Sequence, residues 1–134
     1  MSMIKLSSAG LLFGLLCLIG RPVEAQAPDV KMLGTKDVAG AAGKETVVLT
    51  IAYPPGVSGA VHRHNAQAFT YVLEGSLEMQ VKGQPPVTLQ PGDTFYEGPD
   101  DVHVVGRNAS KTQQARFVVF LIKEKGAPVT VPVQ

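Results

Sequence analysis

Short segments rich in β-branched and aromatic residues, each ended by a glycine or proline turn, restrict the folds open to this chain. Residues 45–53 form one such segment and stop at a Pro-Pro-Gly turn, and residues 77–81 alternate apolar with polar side chains. Roughly nine segments recur at about 8–12-residue spacing, which predicts an all-β sandwich or barrel. With 14 glycines and 10 prolines in 134 residues, a helical bundle is excluded.

Residues 1–25 have the organisation of a secretory signal peptide. Lys5 supplies the positive start, an apolar stretch covers 11–19, and Val23-Glu24-Ala25 offers a cleavage site between small residues. The apolar stretch is too short to span about 30 Å of hydrocarbon comfortably, although an uncleaved membrane anchor is the alternative. We expect a secreted or periplasmic protein without a stable membrane anchor after cleavage, in which residues 26–134 form a single domain.

Charge and cysteine content exclude several classes of function. The 12 Lys and Arg residues nearly balance the 11 Asp and Glu residues, for a net charge of +1. A nucleic-acid-binding protein normally carries a basic stripe that displaces counterions, so we expect no nucleic-acid partner. The single cysteine, Cys17, lies inside the predicted signal peptide. The exported domain should therefore use neither disulfides nor thiol chemistry.

The chain has three histidines, and their arrangement points to a metal site. His62 and His64 are two residues apart in a predicted strand, so the period of a strand sends both imidazoles to the same face. His103 begins another predicted strand, after a turn. Three converging neutral imidazoles with open positions would suit catalysis by zinc, iron, copper or nickel. The alternative is that these are surface or core histidines without a ligand role.

The residues around the histidines resemble the two motifs of the cupin superfamily. The matching positions are Gly56, His62, His64, Gly75, Gly92 and His103. The motifs cover residues 56–75 and 92–108, about half of the expected mature chain. The resemblance implies a small double-stranded β-helix barrel of the jelly-roll class with a metal ion inside.

One departure from the family pattern affects the expected site. The glutamate that binds metal in cupins falls at Ala68, which cannot act as a ligand. Three neutral imidazoles would leave the full double charge of a divalent ion inside a barrel of low dielectric constant, so another charge must compensate it. Hydroxide, an anionic substrate and another carboxylate of the protein are the alternatives.

Glu97 is the best internal candidate for that carboxylate, because the family normally has an apolar residue there. We expect it to act as a base or water anchor just behind the metal ligands; a solvated glutamate at a strand end is the alternative. Tyr71 and Gln80 are candidates for substrate binding, although each could instead face water, since the sequence does not fix the faces of their strands.

The resemblance leaves two functions open. Three-histidine cupin sites resemble those of dioxygenases that cleave β-diketones or oxidise thiols. We therefore expect a mononuclear metalloenzyme of dioxygenase type acting on a small anionic or enolisable molecule. Its cofactor would be one divalent transition metal, with iron favoured over zinc, manganese, copper and nickel. The alternative is a non-catalytic periplasmic protein that carries a metal or a small ligand, since fold does not settle function.

The family also suggests an oligomeric state. Cupins often pair as homodimers through edge strands, and the apolar stretch from Ala127 to Val133 would suit such an interface. We therefore expect a homodimer.

Overall fold

The computed structural model describes residues 26–133, which form ten β-strands and no helix. The strands are β1 (Asp29–Asp37), β2 (Lys44–Tyr53), β3 (His62–Arg63), β4 (Gln67–Glu74), β5 (Leu77–Val81), β6 (Val87–Leu89), β7 (Thr94–Glu97), β8 (His103–Asn108), β9 (Ala115–Glu124) and β10 (Val131–Pro132). No membrane-spanning helix is found among these residues. The predicted signal peptide, residues 1–25, lies outside the described part of the chain.

The strands form two five-stranded antiparallel sheets. The first has the order β1-β2-β9-β4-β7, and the second has the order β10-β3-β8-β5-β6. Strands that follow each other in sequence therefore often lie in different sheets, as in a jelly roll. The predicted all-β, double-stranded β-helix fold is confirmed.

The core lies between the sheets and follows the two-residue period of the strands. Alternate residues of β9 are buried, from Ala115 through Phe117 and Val119 to Leu121. Leu77 on the second sheet belongs to the same apolar cluster. Each such side chain contributes about 1.5–3 kcal/mol when fully buried, so this interior accounts for much of the folding free energy without any disulfide.

The motif glycines have a backbone reason for being glycine. Gly56, Gly75 and Gly92 have φ angles of 72°, 75° and 95°, which side-chain-bearing residues rarely adopt. At Gly75 a Cβ atom would also lie 2.4 Å from the carbonyl oxygen of Gln114. The turn between β4 and β5 therefore requires glycine for both conformation and space.

The C-terminal segment folds back onto its own barrel. Val131 and Pro132 pair with Arg63 and His62, so β10 lies against the strand that carries the first histidine. Val129 packs against the core cluster. Part of the stretch 127–133, which we expected to serve a dimer, is thus used inside one chain.

Candidate metal centre

His62 and His64 present their rings to each other on one face, as the two-residue spacing predicts. His62 lies in β3, and His64 follows just after that strand ends. Their ring centroids are 4.7 Å apart and the rings are nearly perpendicular, at 81°. The side chain of Arg63, between them, is exposed.

The outer nitrogens of both rings are fixed by backbone carbonyls. Nδ1 of His62 donates to the carbonyl of Ala60 at 2.8 Å, and Nδ1 of His64 donates to that of Val129 at 2.6 Å. A carbonyl can only accept, so in the neutral rings both protons lie on Nδ1 and both Nε2 atoms carry lone pairs. These Nε2 atoms are 3.2 Å apart. Two lone pairs at this separation repel unless a cation lies between them, and two nitrogens bound to one ion at about 2.1 Å lie about this far apart.

His103 is delivered by β8, which pairs with β3 so that His103 lies opposite His62. The centroids of these two rings are 5.0 Å apart. Gly106 makes room for the ring of His103, because a Cβ atom there would lie only 2.8 Å from its Cε1. Both ring nitrogens of His103 are buried and lack hydrogen-bond partners.

Glu97 is buried, with 3% of its surface exposed, and its carboxylate faces the histidines. Oε1 lies 3.1 Å from Nδ1 of His103 and 3.7 Å from Nε2 of His64. The shorter contact is an ion-pair distance but not an aligned hydrogen bond, and Oε1 has no hydrogen-bond partner. The carboxylate therefore lies beside the imidazoles rather than behind them, and it is not a solvated strand end.

The pairing of β4 with β7 explains how Glu97 reaches this position. Ala68, where cupins carry their metal-binding glutamate, lies directly opposite Glu97 in the sheet. Residues directly opposite each other in antiparallel strands have Cβ atoms about 4.5–5.5 Å apart. The carboxylate thus comes from the neighbouring strand, and the small side chain of Ala68 leaves space for it.

Burial and neighbouring charges shift the pKa values of His62 and Glu97. Burial lowers the pKa of His62 below its ordinary value of 6.5. The hydrogen bond to Ala60 raises this pKa, whereas the charges of His64 and His103 lower it further. Burial raises the pKa of Glu97, but the contact with His103 and the charges of His64 and His62 outweigh it, so the pKa lies below the ordinary 4.5. Neutral imidazole and ionised carboxylate are the forms that bind a metal.

The donor set fits a divalent transition metal. The ligand atoms of His62, His64 and Glu97 all lie within 4.8 Å of one another. His103 is not part of this group, although its Nδ1 atom lies 3.1 Å from Oε1 of Glu97. Imidazole and carboxylate suit iron, zinc, manganese, copper and nickel. Oε1 of Glu97 and both ring nitrogens of His103 are buried without hydrogen-bond partners, which is costly unless something binds them, so the residues present fit such an ion.

A cavity of about 470 Å³ adjoins the four side chains. Thr70 and Met79 line it, whereas Tyr71 and Gln80 do not. Tyr71 is 47% exposed on the outer face of β4, and Gln80 donates to the carbonyl of Gln84. Each expected substrate contact is thus one residue away from an inward-facing neighbour. Side chains of β4 alternate between the inner and outer face, so the sequence narrows the cavity residues to one of two alternating sets. It does not say which set, the one with Thr70 or the one with Tyr71, faces inward.

The family comparison agrees with the motif resemblance. The cupin domain family matches residues 49–121. No curated protein matches the chain. Among solved structures, an uncharacterised double-stranded β-helix protein from Klebsiella pneumoniae has a TM-score of 0.66 at 20% identity, over 85% of this chain and 90% of that one.

Some of the structural neighbours have named activities. A DMSP lyase from Ruegeria pomeroyi has a TM-score of 0.57 at 22% identity, over 66% of this chain and 43% of the lyase. An oxalate oxidase bound to the substrate analogue glycolate has a TM-score of 0.63 at 23% identity, over 85% of this chain and 59% of the oxidase. The chain spans less than half of the lyase, and at these identities the likeness shows the fold alone.

Proposed function

The chain belongs to the cupin domain family, and on that basis we propose that it binds one divalent transition metal through His62, His64, His103 and Glu97. The observation that carries this proposal is the pair of unprotonated Nε2 atoms of His62 and His64, 3.2 Å apart. Iron is the metal that we expect, with zinc, manganese, copper and nickel as the alternatives. The negative charge of Glu97 would reduce the net charge of the site from +2 to +1, which lowers the free-energy cost of burying the metal ion.

We propose that the metal-bound protein is an enzyme of dioxygenase type that acts on a small molecule. A bound metal would supply Lewis acidity and open coordination positions for substrate and oxygen. The carbonyls of Ala60 and Val129 hold two of the imidazoles in place. The carboxylate oxygen of Glu97 that does not bind the metal would hold a proton from a substrate, the role of base expected from the sequence.

The second candidate is a carrier that binds a metal or small ligand without turnover. The same cavity and ligands would serve it, so activity separates the two. Oxygen consumption by iron-loaded protein with a panel of diketones, flavonols and thiols would support the enzyme. Binding of these compounds without oxygen uptake or product formation would favour the carrier.

The first experiment measures metal per chain by elemental analysis of protein isolated from its native compartment. We expect about one transition metal ion per chain, and none in a triple variant with His62, His64 and His103 changed to alanine. Arg63→Ala is the matched control, because that exposed side chain lies between two of the ligands. Absence of metal in the wild type, with no uptake on titration, would contradict the proposal.

Glu97→Gln tests the role of the carboxylate, because it keeps the shape of the side chain and removes the charge. We expect metal affinity to fall by about 100-fold or more, beyond the 10–100-fold typical of groups that only support ligands, because the variant removes the charge of a proposed ligand. Gln67→Glu is a control that adds a carboxylate on the exposed side of β4. Unchanged metal affinity and activity in Glu97→Gln would remove this residue from the site.

Export and dimerisation remain proposals. We propose that residues 1–25 direct export and are then removed, which N-terminal mass spectrometry of the isolated protein would test.

For the homodimer, β1 is the best-supported surface, because all nine of its residues are exposed at the edge of a sheet. Val30 and Met32 on this strand also line the cavity, so a second copy would cover it. A monomeric mass by light scattering would contradict the dimer.

A further inference from the structure

The walls of the cavity beside the four proposed ligands are almost entirely apolar. Leu49, Ile51 and Met79 contribute to them, together with Phe117 and Val119 from β9. Neither lysine nor arginine occurs among the lining residues of the described chain. The site thus offers no positive side chain to a negatively charged part of a ligand outside the metal centre.

The missing cations restrict the ligands that this cavity can hold. A divalent ion with three neutral imidazoles and Glu97 leaves a single net positive charge, enough to bind one ionised donor group. A second negative charge held against these apolar walls would be buried without a partner, which is strongly unfavourable. The body of the ligand must therefore be neutral.

The cavity wall carries a buried hydroxyl without a hydrogen-bond partner. Thr70 is 1% exposed and lines the cavity, and its Oγ1 atom has no hydrogen-bond partner. On β4 it follows Ala68, the residue opposite Glu97, by two positions, which is about 7 Å along a strand. A buried hydroxyl without a partner is rare, and this one is within reach of a molecule seated beside Glu97.

We propose that the site takes a molecule with a neutral, predominantly apolar body, whose polar end faces the metal centre and is hydrogen-bonded by the hydroxyl of Thr70. This inference rests on the proposed metal-binding function. It narrows the substrate, because it excludes small dianions and molecules with a charged tail. A cavity of about 470 Å³ is within the usual range for a small organic ligand.

Three hydroxamates with the same metal-binding head and different tails test the substrate class. Calorimetry with Co(II)-loaded protein would compare acetohydroxamate, benzohydroxamate and para-carboxybenzohydroxamate. We expect benzohydroxamate to bind about tenfold or more tightly than acetohydroxamate, because its ring buries apolar area. The carboxylated analogue should bind at least about tenfold more weakly than benzohydroxamate, since its second charge has no partner. Equal or tighter binding of the carboxylated analogue would overturn the proposal.

Two variants test the role of Thr70. Thr70→Val keeps the shape of the side chain and removes the hydroxyl, and we expect benzohydroxamate to bind about 3–10-fold more weakly. Thr70→Ser keeps the hydroxyl and should restore binding to within about twofold of wild type. The visible absorption of bound Co(II) would show that both variants hold the metal as the wild type does. Unchanged or tighter binding by Thr70→Val would show that the hydroxyl does not contact the ligand.

A metal-free measurement separates failure of this inference from failure of the proposed function. The neutral fluorophore N-phenyl-naphthylamine should bind the apolar cavity whether or not metal is present, and benzohydroxamate should displace it from the loaded protein. Fluorophore binding without metal uptake would contradict the metal centre but support the apolar site. Metal uptake without fluorophore binding, and with no preference for the apolar tail, would contradict the ligand class alone.

Discussion

Lys123 and Glu97 are 4% and 3% exposed in the same barrel, yet their polar atoms are in opposite states. Nζ of Lys123 contacts Oε1 of Glu45 at 2.5 Å and the carbonyls of Ala127 and Glu124 at 2.6 and 3.2 Å. Glu97 faces three histidines, and its Oε1 has no hydrogen-bond partner. We call Lys123 and Glu45 the closed centre, because protein atoms satisfy the buried ammonium group. We call Glu97 and the three histidines the open centre, because buried polar atoms there lack such partners.

The difference in hydrogen-bond partners separates Lys123, whose buried charge stabilises the fold, from Glu97, whose buried charge is available to a ligand. Glu45 also accepts hydrogen bonds from the backbone of Gly126 and the hydroxyl of Thr35, so the pair with Lys123 is fully supported. A buried charge of this kind costs stability when its partner is removed. The donor atoms around Glu97 carry the cost of missing partners in the folded protein, which is expected of a site built for a ligand.

The largest effect that we expect from breaking the open centre is on metal binding. His64→Ala should lower metal affinity by more than about 100-fold, because it removes a ligand rather than a supporting group. The melting temperature of the metal-free protein should change little, since the lost ring nitrogens stabilise nothing else there except the contact with Val129. Isothermal titration and thermal unfolding of the same samples check both statements. A large loss of stability in the metal-free protein would mean that the histidine is structural.

Breaking the closed centre should have the opposite result. Lys123→Met should lower the free energy of unfolding by about 1–3 kcal/mol, because it leaves the carbonyls of Glu124 and Ala127 without this donor. Metal content should stay at the wild-type level, because Val129, which holds His64, is fixed independently by its packing in the core. Urea unfolding with metal analysis measures both.

Lys125→Met is the matched control for that change. Lys125 forms an ion pair with Asp37 at 2.8 Å, but both side chains are mostly exposed. Exposed pairs contribute little to stability, so this variant should unfold almost like the wild type. If both lysine variants unfolded alike, burial would not be what distinguishes Lys123.

A smaller effect should follow from crowding one ligand without removing it. Gly106→Ala places a methyl group against the ring of His103, which must shift, and metal affinity should fall by about 10–100-fold. Gly34→Ala is the control, because nothing lies within 4 Å of its added Cβ atom. Titration of both variants with the same metal decides the matter. Equal affinities would place His103 outside the metal centre.

The smallest effect is the pH dependence of the closed centre. The hydrogen bond from Lys123, followed by that from Gly126, lowers the pKa of Glu45 from 4.5 to about 2. A depressed carboxyl pKa contributes stability that is complete above about 4.5 and is lost as the pH falls towards 2. The difference in melting temperature between wild type and Glu45→Gln should therefore shrink over this interval. A difference that stays constant from pH 6 to pH 2 would contradict the assignment.

Local patterns predicted much of the site and fold. The spacing of His62 and His64 predicted that they share a face, because side chains alternate along an extended chain. The glycines at 56, 75 and 92 indicated turns, and each has a positive φ angle. The family resemblance supplied the barrel. These features depend on neighbours in sequence or on a pattern that many related chains share.

Other features depend on which strands become neighbours. Tyr71 and Gln80 were reasonable substrate contacts until the inward faces of β4 and β5 were known, and the structure places Thr70 and Met79 inward instead. The burial of Lys123 was also missed. Its strand is mostly apolar, and nothing near it in sequence indicates that Glu45 would accept its charge.

The sequence alone therefore determined the all-β class, the turns and the shared face of His62 and His64, because these follow from local backbone preference and strand period. The resemblance to a family added the barrel and His103. Only the tertiary structure decided which carboxylate joins the histidines, through the register that sets Ala68 opposite Glu97. It also decided that the buried charge of Lys123 has protein partners, whereas Oε1 of Glu97 has no hydrogen-bond partner. The physical reason is that pairing between strands distant in sequence is fixed by packing of the whole barrel, not by the residues on either strand.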